Sequence, residues 1–320
     1  MKKILDKRNM SEQDWQDYRS HQKGIGGSEV AAILGVQPSY AKSKFVLWLE
    51  KTGQKTPEKV DNEYVKWGNI LEPVIRKQFS IDTGLKVFQN NFVLQHDQYD
   101  WMIANIDGEV LDPSRNGRGV LEIKTTSEWN KKEWDGDHVP LAYMAQVQHY
   151  LAVTGYEYAY IAVLIGGNKL KHWVIDRNDQ VIEQIIEAEK EFMYMVENDI
   201  APAIGGGQAE SDYLASAYPT GLDEELSMPE PTEKLAKEYN ELQQKTKEID
   251  LRMKEIKNRI RLEAGSIGRL KGHTLMINMP TVSKTLFDSK AFAKDHEDLY
   301  NQYKTKTSTY RDFKIKILEG

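Results

Sequence analysis

The chain has 320 residues, 40% of them hydrophobic and 29% charged, with a net charge of −6 and no cysteine. That composition suits one large or two smaller soluble globular domains. It excludes disulfides, thiol catalysis and cysteine-ligated zinc or iron–sulfur clusters, and it argues against a broad basic surface that coats DNA while leaving room for a cleft of local positive charge.

The first residues, Met1-Lys2-Lys3-Ile4-Leu5-Asp6, turn charged at once, so no secretory signal is expected. Residues 14–19, with Trp15 and Tyr18, predict a short helix. Gly24-Ile25-Gly26-Gly27-Ser28 then leads into an apolar run to Leu34, the pattern of a loop feeding a capped helix. Residues 63–79 predict a helix with an apolar stripe of Val65, Ile70, Leu71, Val74, Ile75 and Phe79; Pro73 inside it implies a kink or a late start. Residues 85–94, 100–111 and 118–124 predict strands. The last two are joined by Asp112-Pro113-Ser114-Arg115-Asn116-Gly117, strong turn chemistry for a hairpin. A helix over 141–153, strands over 156–165 and 169–175 joined through Gly166-Gly167-Asn168, and a helix over 179–196 complete an α/β core with a mixed sheet flanked by helices. The longest apolar run, Tyr158 to Ile165, is too short to span a bilayer, so no membrane partner is expected, and the lack of cysteine fits a cytoplasmic protein.

Near Ala201 the texture changes to Pro, Gly, Ser and acidic residues. The expected organisation is a first domain over 1–205, a linker over 206–231 and a C-terminal module over 232–320. In that module Leu235, Tyr239, Leu242, Thr246, Ile249, Met253, Ile256 and Ile260 recur in steps of four and three, a heptad seam. The seam is expected to form an intrachain helical hairpin with the helix around Phe292, in preference to pairing between chains. A β-like stretch over 270–279, a helix over 289–303 and a strand over 311–318 are expected to follow. Lys304, Lys306, Arg311, Lys314 and Lys316 make the end basic, for DNA contact or to solubilise a sheet edge.

The chemistry centres on Asp107, Glu122 and Lys124, in Ile106-Asp107-Gly108-Glu109 and Leu121-Glu122-Ile123-Lys124. Residues two apart on a strand share a face, so Glu122 and Lys124 point into one pocket while Leu121 and Ile123 face away. Hairpin pairing brings Asp107 beside Glu122. Two carboxylates in one pocket raise each other's pKa, and Mg²⁺, which prefers carboxylate and carbonyl oxygens, relieves that repulsion. The Ile123 carbonyl is a further hard ligand. Lys124, with an expected depressed pKa, orients or deprotonates a water or stabilises a developing oxyanion. The reaction class is hydrolysis of a nucleic-acid backbone. Glu72, mid-helix upstream, is a third acid that could reach the metal through water, and Gln146, on the following helix, a partner for the nucleophilic water or the lysine. The competing reading is a pair of surface strands with ordinary charges; the order Glu, Asp, Glu-x-Lys, Gln counts against it.

These words resemble the PD-(D/E)xK nuclease superfamily, in its YqaJ-type phage and prophage branch of lambda-exonuclease-like recombination exonucleases. The resemblance rests on Gly24-Ile25-Gly26-Gly27-Ser28-Glu29-Val30-Ala31-Ala32-Ile33-Leu34-Gly35, Trp67-Gly68-Asn69-Ile70-Leu71-Glu72, Ala104-Asn105-Ile106-Asp107-Gly108, Leu121-Glu122-Ile123-Lys124-Thr125-Thr126 and Ala142-Tyr143-Met144-Ala145-Gln146-Val147-Gln148-His149-Tyr150-Leu151, within residues 14–200. It implies a restriction-endonuclease-like fold and a Mg²⁺-dependent 5′→3′ exonuclease on linear double-stranded DNA, with Mn²⁺ as a substitute. Such an enzyme leaves 3′ single-stranded tails for a single-strand annealing protein of the RecT/Beta kind and can form a homotrimer. It implies Asp107 and Glu122 as metal ligands with Glu72 nearby, Lys124 as catalytic lysine, Gln146 as its water-side partner, and Ser28 and Arg19 as ligands of the terminal 5′ phosphate. Arg19 lies about two residues further from Ser28 than the family's usual spacing, which brings His21 and Lys23 in as alternatives. Ser28 also stands at a glycine-flanked helix start, where free N–H groups suit an anion, although a plain Ser N-cap has the same look. The alternative functions are an endonuclease or RecB-like nuclease of the same superfamily, and a catalytically silent recombination scaffold. His138 and His149 read as packing or surface residues. Trp129 and Trp134 read as either base-stacking or core residues.

Overall fold

The computed structural model describes residues 1–38, 41–57, 62–136, 138–304, 306 and 310–316. The chain divides into two compact units, Met1–Leu214 and Ala215–Gly320.

The first unit opens with β1 (Lys2–Asp6) and α1 (Glu12–His21), whose start is a Ser11–Asp14 capping box. A short β2 (Ile25–Gly26) leads directly into α2 (Gly27–Leu34). Here the cap differs from the expected one. Gly26 holds the N-cap position and its N–H donates to Glu29 Oε2 at 2.9 Å, so Ser28 lies within the first turn and is exposed. α3 (Lys44–Lys51) was not expected: its run Phe45-Val46-Leu47-Trp48-Leu49 has no helical period, and the local signal is Ser43, which accepts from the Val46 N–H at 3.3 Å. α4 (Glu63–Thr83) passes through Pro73 as one helix.

Each long strand expected over 85–94 and 100–111 is two strands in different sheets. They are β3 (Lys86–Phe88) and β4 (Phe92–Gln95), then β5 (Met102–Ala104) and β6 (Gly108–Leu111). β7 (Arg118–Thr126), α5 (Leu141–Thr154), β8 (Tyr158–Ile165), β9 (Lys169–Asp176) and α6 (Asp179–Glu197) follow the expected plan. Gly155, at φ 71°, ends α5 in the left-handed conformation that glycine adopts without strain. The stretch expected to be a linker contains α7 (Gln208–Ala217), whose Tyr213 packs edge-on to Phe45.

One sheet has the order β3-β6-β7-β8-β9, with β7 and β8 parallel and the other neighbours antiparallel. The other has the order β1-β4-β5-β2. On one face of the five-stranded sheet Val120, Ile161 and Val163 pack with Val147 and Leu151 of α5; on the opposite side Leu121, Ile123 and Ala162 pack with Ile75 and Phe79 of α4. This mixed α/β architecture, with sheets flanked by helices, is the fold class expected from the element order.

The second unit contains α8 (Glu230–Ala264), the hairpin β10 (Arg269–Lys271) and β11 (Met276–Asn278), α9 (Ser289–Asp295) and α10 (Glu297–Tyr303). The helical hairpin does not form as expected. The segment around Phe292 is two seven-residue helices, too short to cover a 35-residue one, and Leu235, Leu242, Ile249, Met253 and Ile256 are exposed. Residues 311–316 form no strand, and the rest of the strand expected to 318 lies outside the described residues.

Candidate active site

The β6–β7 ladder ends at the pair Gly108 and Leu121, so Asp107, one step beyond it, stands across from Glu122. The β7 edge is free of a backbone partner there, and the Ile123 N–H donates instead to Asp107 Oδ2 at 2.7 Å. The N–H and C=O of one strand residue point to the same edge, so the Ile123 carbonyl faces Asp107 as well. Glu122 is 2% exposed. Its Oε1 accepts from Gln146 Nε2 at 2.8 Å and lies 2.5 Å from Lys124 Nζ, while its Oε2 is buried without a partner among the described residues. The strand period, the broken ladder and α5 thus bring Asp107, Glu122, Ile123, Lys124 and Gln146 to one pocket.

The electrostatics are those of an anionic pocket short of positive charge. Burial, then the charge of Asp107, push the Glu122 carboxyl up to about 8. Burial also raises Asp107, against the pull of Lys124 and the Ile123 N–H. Lys124 departs from expectation. Burial lowers its pKa, but Glu122 and Asp107 outweigh burial and raise it, so the lysine is held as a cation. Gln146 also departs in part, since its amide serves Glu122 and the Tyr150 hydroxyl (3.0 Å) rather than the lysine.

Glu72 stands apart from the other two acids. It pairs with Arg76 one helical turn on, and burial followed by Asp107 raises its pKa. Among the described residues no group of three His, Asp or Glu side chains is close enough to hold a metal ion. Even so, the partnerless Glu122 Oε2, the Asp107 carboxylate and the Ile123 carbonyl form an all-oxygen donor set in a site where both acids are driven toward protonation. That set fits a hard divalent cation.

Ser28 and Arg19 are both exposed, and neither makes a hydrogen bond or ion pair with Asp107, Glu122 or Lys124 among the described residues. Arg19, on α1, is exposed, and its guanidinium sits 5.9 Å from the Trp15 ring centroid. His21 Nδ1 lies 2.7 Å from the Asp17 carbonyl oxygen. The glycine loop is tied to the pocket through Tyr150: a Cβ on Gly27 would lie 2.4 Å from that ring. Gly27→Ala should therefore cost about 1–3 kcal/mol in overpacking, read as a lower thermal midpoint; an unchanged midpoint would show that Tyr150 yields freely.

Four further residues belong to the site without having been read from the sequence. Arg76 and Tyr150 were detectable, each four residues from a candidate on the same helix. Lys51 holds the glycine loop, donating to the carbonyls of Gln22 (3.1 Å) and Gly24 (2.6 Å) and pairing with Glu29 at 2.9 Å. Lys7 reaches Asn105 from 98 residues away, and no local pattern signals it. The two tryptophans divide: Trp134 is core, stacked on Tyr143, whereas Trp129 is 94% exposed. His138 is exposed, and His149 is buried against Glu189.

The sequence model of a family described as the YqaJ-like viral recombinase domain matches residues 14–157. The uncharacterized protein YqaJ of Bacillus subtilis (strain 168) is 35% identical over 316 residues, covering 96% of this chain and 95% of that protein. Among solved structures, the chain is similar to an alkaline exonuclease from Laribacter hongkongensis, at 23% identity over 58% of this chain and 94% of that one, with a TM-score of 0.49. A phage-related exonuclease from Haemophilus somnus 129PT is similar at 16% identity over 55% and 95%, with a TM-score of 0.41. With 35% identity to the Bacillus subtilis protein along nearly the whole length of both chains, the chain belongs to the YqaJ-like viral recombinase family.

Proposed function

We propose that the chain is a Mg²⁺-dependent deoxyribonuclease, with Mn²⁺ as a substitute, that degrades linear double-stranded DNA from the 5′ end. The activity is assigned to residues 1–205, and the 3′ single-stranded tails it leaves are handed to a single-strand annealing protein. The observation that carries the nuclease reading is the Glu122 carboxylate: buried, fixed through one oxygen by Gln146 and Lys124, and left partnerless at the other beside Asp107. Polarity and the annealing partner rest on the family resemblance.

When bound by Asp107, Glu122 and the Ile123 carbonyl, the metal supplies Lewis acidity toward a phosphate oxygen and a lowered pKa for water. The chain's own groups do the positioning. Gln146 and Lys124 lock one Glu122 oxygen so that the other points into the pocket. Lys124, held charged beside the two carboxylates, donates to a phosphate oxygen or orients the attacking water. Ser28, on the first turn of α2, and Arg19 receive the terminal 5′ phosphate.

The test compares linear duplexes bearing 5′-phosphate or 5′-hydroxyl with a closed circle, in Mg²⁺. The expected result is rapid loss of the phosphorylated linear duplex, slower loss of the hydroxyl form and an intact circle. A circle degraded at the linear rate would make the protein an endonuclease, and three intact substrates would leave a recombination scaffold.

A further inference from the structure

Lys7 follows the edge strand β1, where its backbone N–H is fixed by the Asn91 carbonyl at 2.8 Å. Its side chain turns inward, is half-buried, and donates from Nζ to Asn105 Oδ1. Asn105 lies in the break between β5 and β6, two residues before Asp107. The ammonium is 5.3 Å from the centroid of the same Trp15 ring that Arg19 overlies. Burial lowers its pKa overall; Asp107 and Glu72 act against that lowering and Arg76 and Arg19 add to it, so these groups share one field.

Lys7 is distinctive in having only a neutral polar partner. Lys124 and Arg76 pair with Glu122 and Glu72, whereas among the described residues no carboxylate pairs with Lys7. A lysine is seldom drawn out of water without a counterion. Holding Asn105 does not require the charge, since a neutral amide would donate equally well. A phosphodiester approaching Asp107 and Glu122 meets acids of its own sign; Lys124 and Arg76 are already paired with Glu122 and Glu72, whereas Lys7 stands in the same field with its charge unpaired by a carboxylate among the described residues.

Building on the nuclease reading, we propose that Lys7 is a phosphate-binding residue for the DNA strand at the Asp107–Glu122 centre, its counterion supplied by an internucleotide phosphate of the substrate. The assignment adds a phosphate contact from the residue that follows β1 to the proposed end-binding pair Ser28 and Arg19.

The experiment measures anisotropy of a labelled 5′-phosphorylated duplex with full-length protein in Ca²⁺, over a series of KCl concentrations. Lys7→Gln keeps a donor for Asn105 and loses the charge; Lys7→Met replaces it should the first variant fail to fold. The slope of log affinity against log salt should fall by about 0.7–0.9, one phosphate contact, while Lys7→Arg keeps the wild-type slope. Asn105→Ala, which breaks the hydrogen bond and leaves the charge, should also keep it. An unchanged slope in Lys7→Gln overturns the proposal, as does an equal fall in Asn105→Ala, which would make the effect structural. A wild-type protein that binds with a Lys7-dependent slope but does not cut in Mg²⁺ would sink the nuclease reading and leave the phosphate contact standing; one that cuts with no Lys7 dependence would do the reverse.

Discussion

Glu122→Gln should lower the rate of DNA degradation by about 10²–10³-fold and abolish the thermal stabilisation that Mg²⁺ gives the wild-type protein. Both effects have one origin. The Glu122 carboxyl rises from 4.5 to about 8 on folding, through burial and the neighbouring Asp107. A carboxyl with a raised folded pKa binds its proton more tightly in the native state. Native stability therefore falls as pH climbs from the unfolded value toward the folded one, at up to about 1.4 kcal/mol per unit. The metal-free protein should lose stability across that window. A divalent cation binds the deprotonated form, so the Mg²⁺-induced rise in thermal midpoint should grow from pH 6 to about pH 8. Glutamine keeps a partner for Gln146 and carries no titrating charge, which should flatten both trends. Differential scanning fluorimetry with and without Mg²⁺ at several pH values reads this without an activity assay. A wild-type midpoint indifferent to Mg²⁺ at every pH would remove the metal from the site.

The residues legible beforehand were those whose placement follows from local period. Alternation on β7 set Glu122 and Lys124 on one face, and turn chemistry at residues 112–117 set the hairpin that brings Asp107 across. The break between β5 and β6 has a local mark in Asn105, Asp107 and Gly108, but three polar or small residues do not say that the strands on either side join different sheets, which is what separates Met102–Ala104 from Gly108–Leu111. That interruption frees the Ile123 N–H for Asp107 and opens a place for Lys7. The depressed pKa expected of Lys124 is reversed in direction, because two carboxylates beside the ammonium outweigh its burial. Ser28 was taken for a possible cap because serine is the commoner cap, yet Glu29, three residues after Gly26, already completed the reciprocal half of a capping box. The exposed seam of α8 shows the limit of periodicity, which identifies an apolar stripe and says nothing of what covers it.

Removing the buried partner of His149 should destabilise the first unit strongly. His149 Nδ1 lies 2.7 Å from Glu189 Oε1 on α6 and Nε2 lies 3.0 Å from the Ile103 carbonyl on β5. Both neighbours accept, so the ring suits the doubly protonated form. Burial lowers its pKa, but Glu189 outweighs burial and raises it overall. Glu189→Ala leaves that cation buried and unpaired, at a cost of roughly 3–5 kcal/mol in denaturant unfolding. The sign of the pH dependence follows: the pair's contribution is complete below the ordinary histidine value of 6.5 and is lost as pH rises through the higher folded value. The gap between wild type and Glu189→Ala should therefore narrow in alkaline buffer. Function is coupled to this pair through geometry. His149 shares α5 with Gln146, and the Ile103 carbonyl lies on the strand that leads to Asn105 and Asp107, so the contact fixes the helix carrying one pocket residue against the strand preceding another. Glu189→Gln, which keeps an acceptor for the ring without the charge, should recover much of the stability at alkaline pH and little at acidic pH. Equal destabilisation by Ala and Gln at every pH would show that packing, and not the ion pair, holds α5 in place.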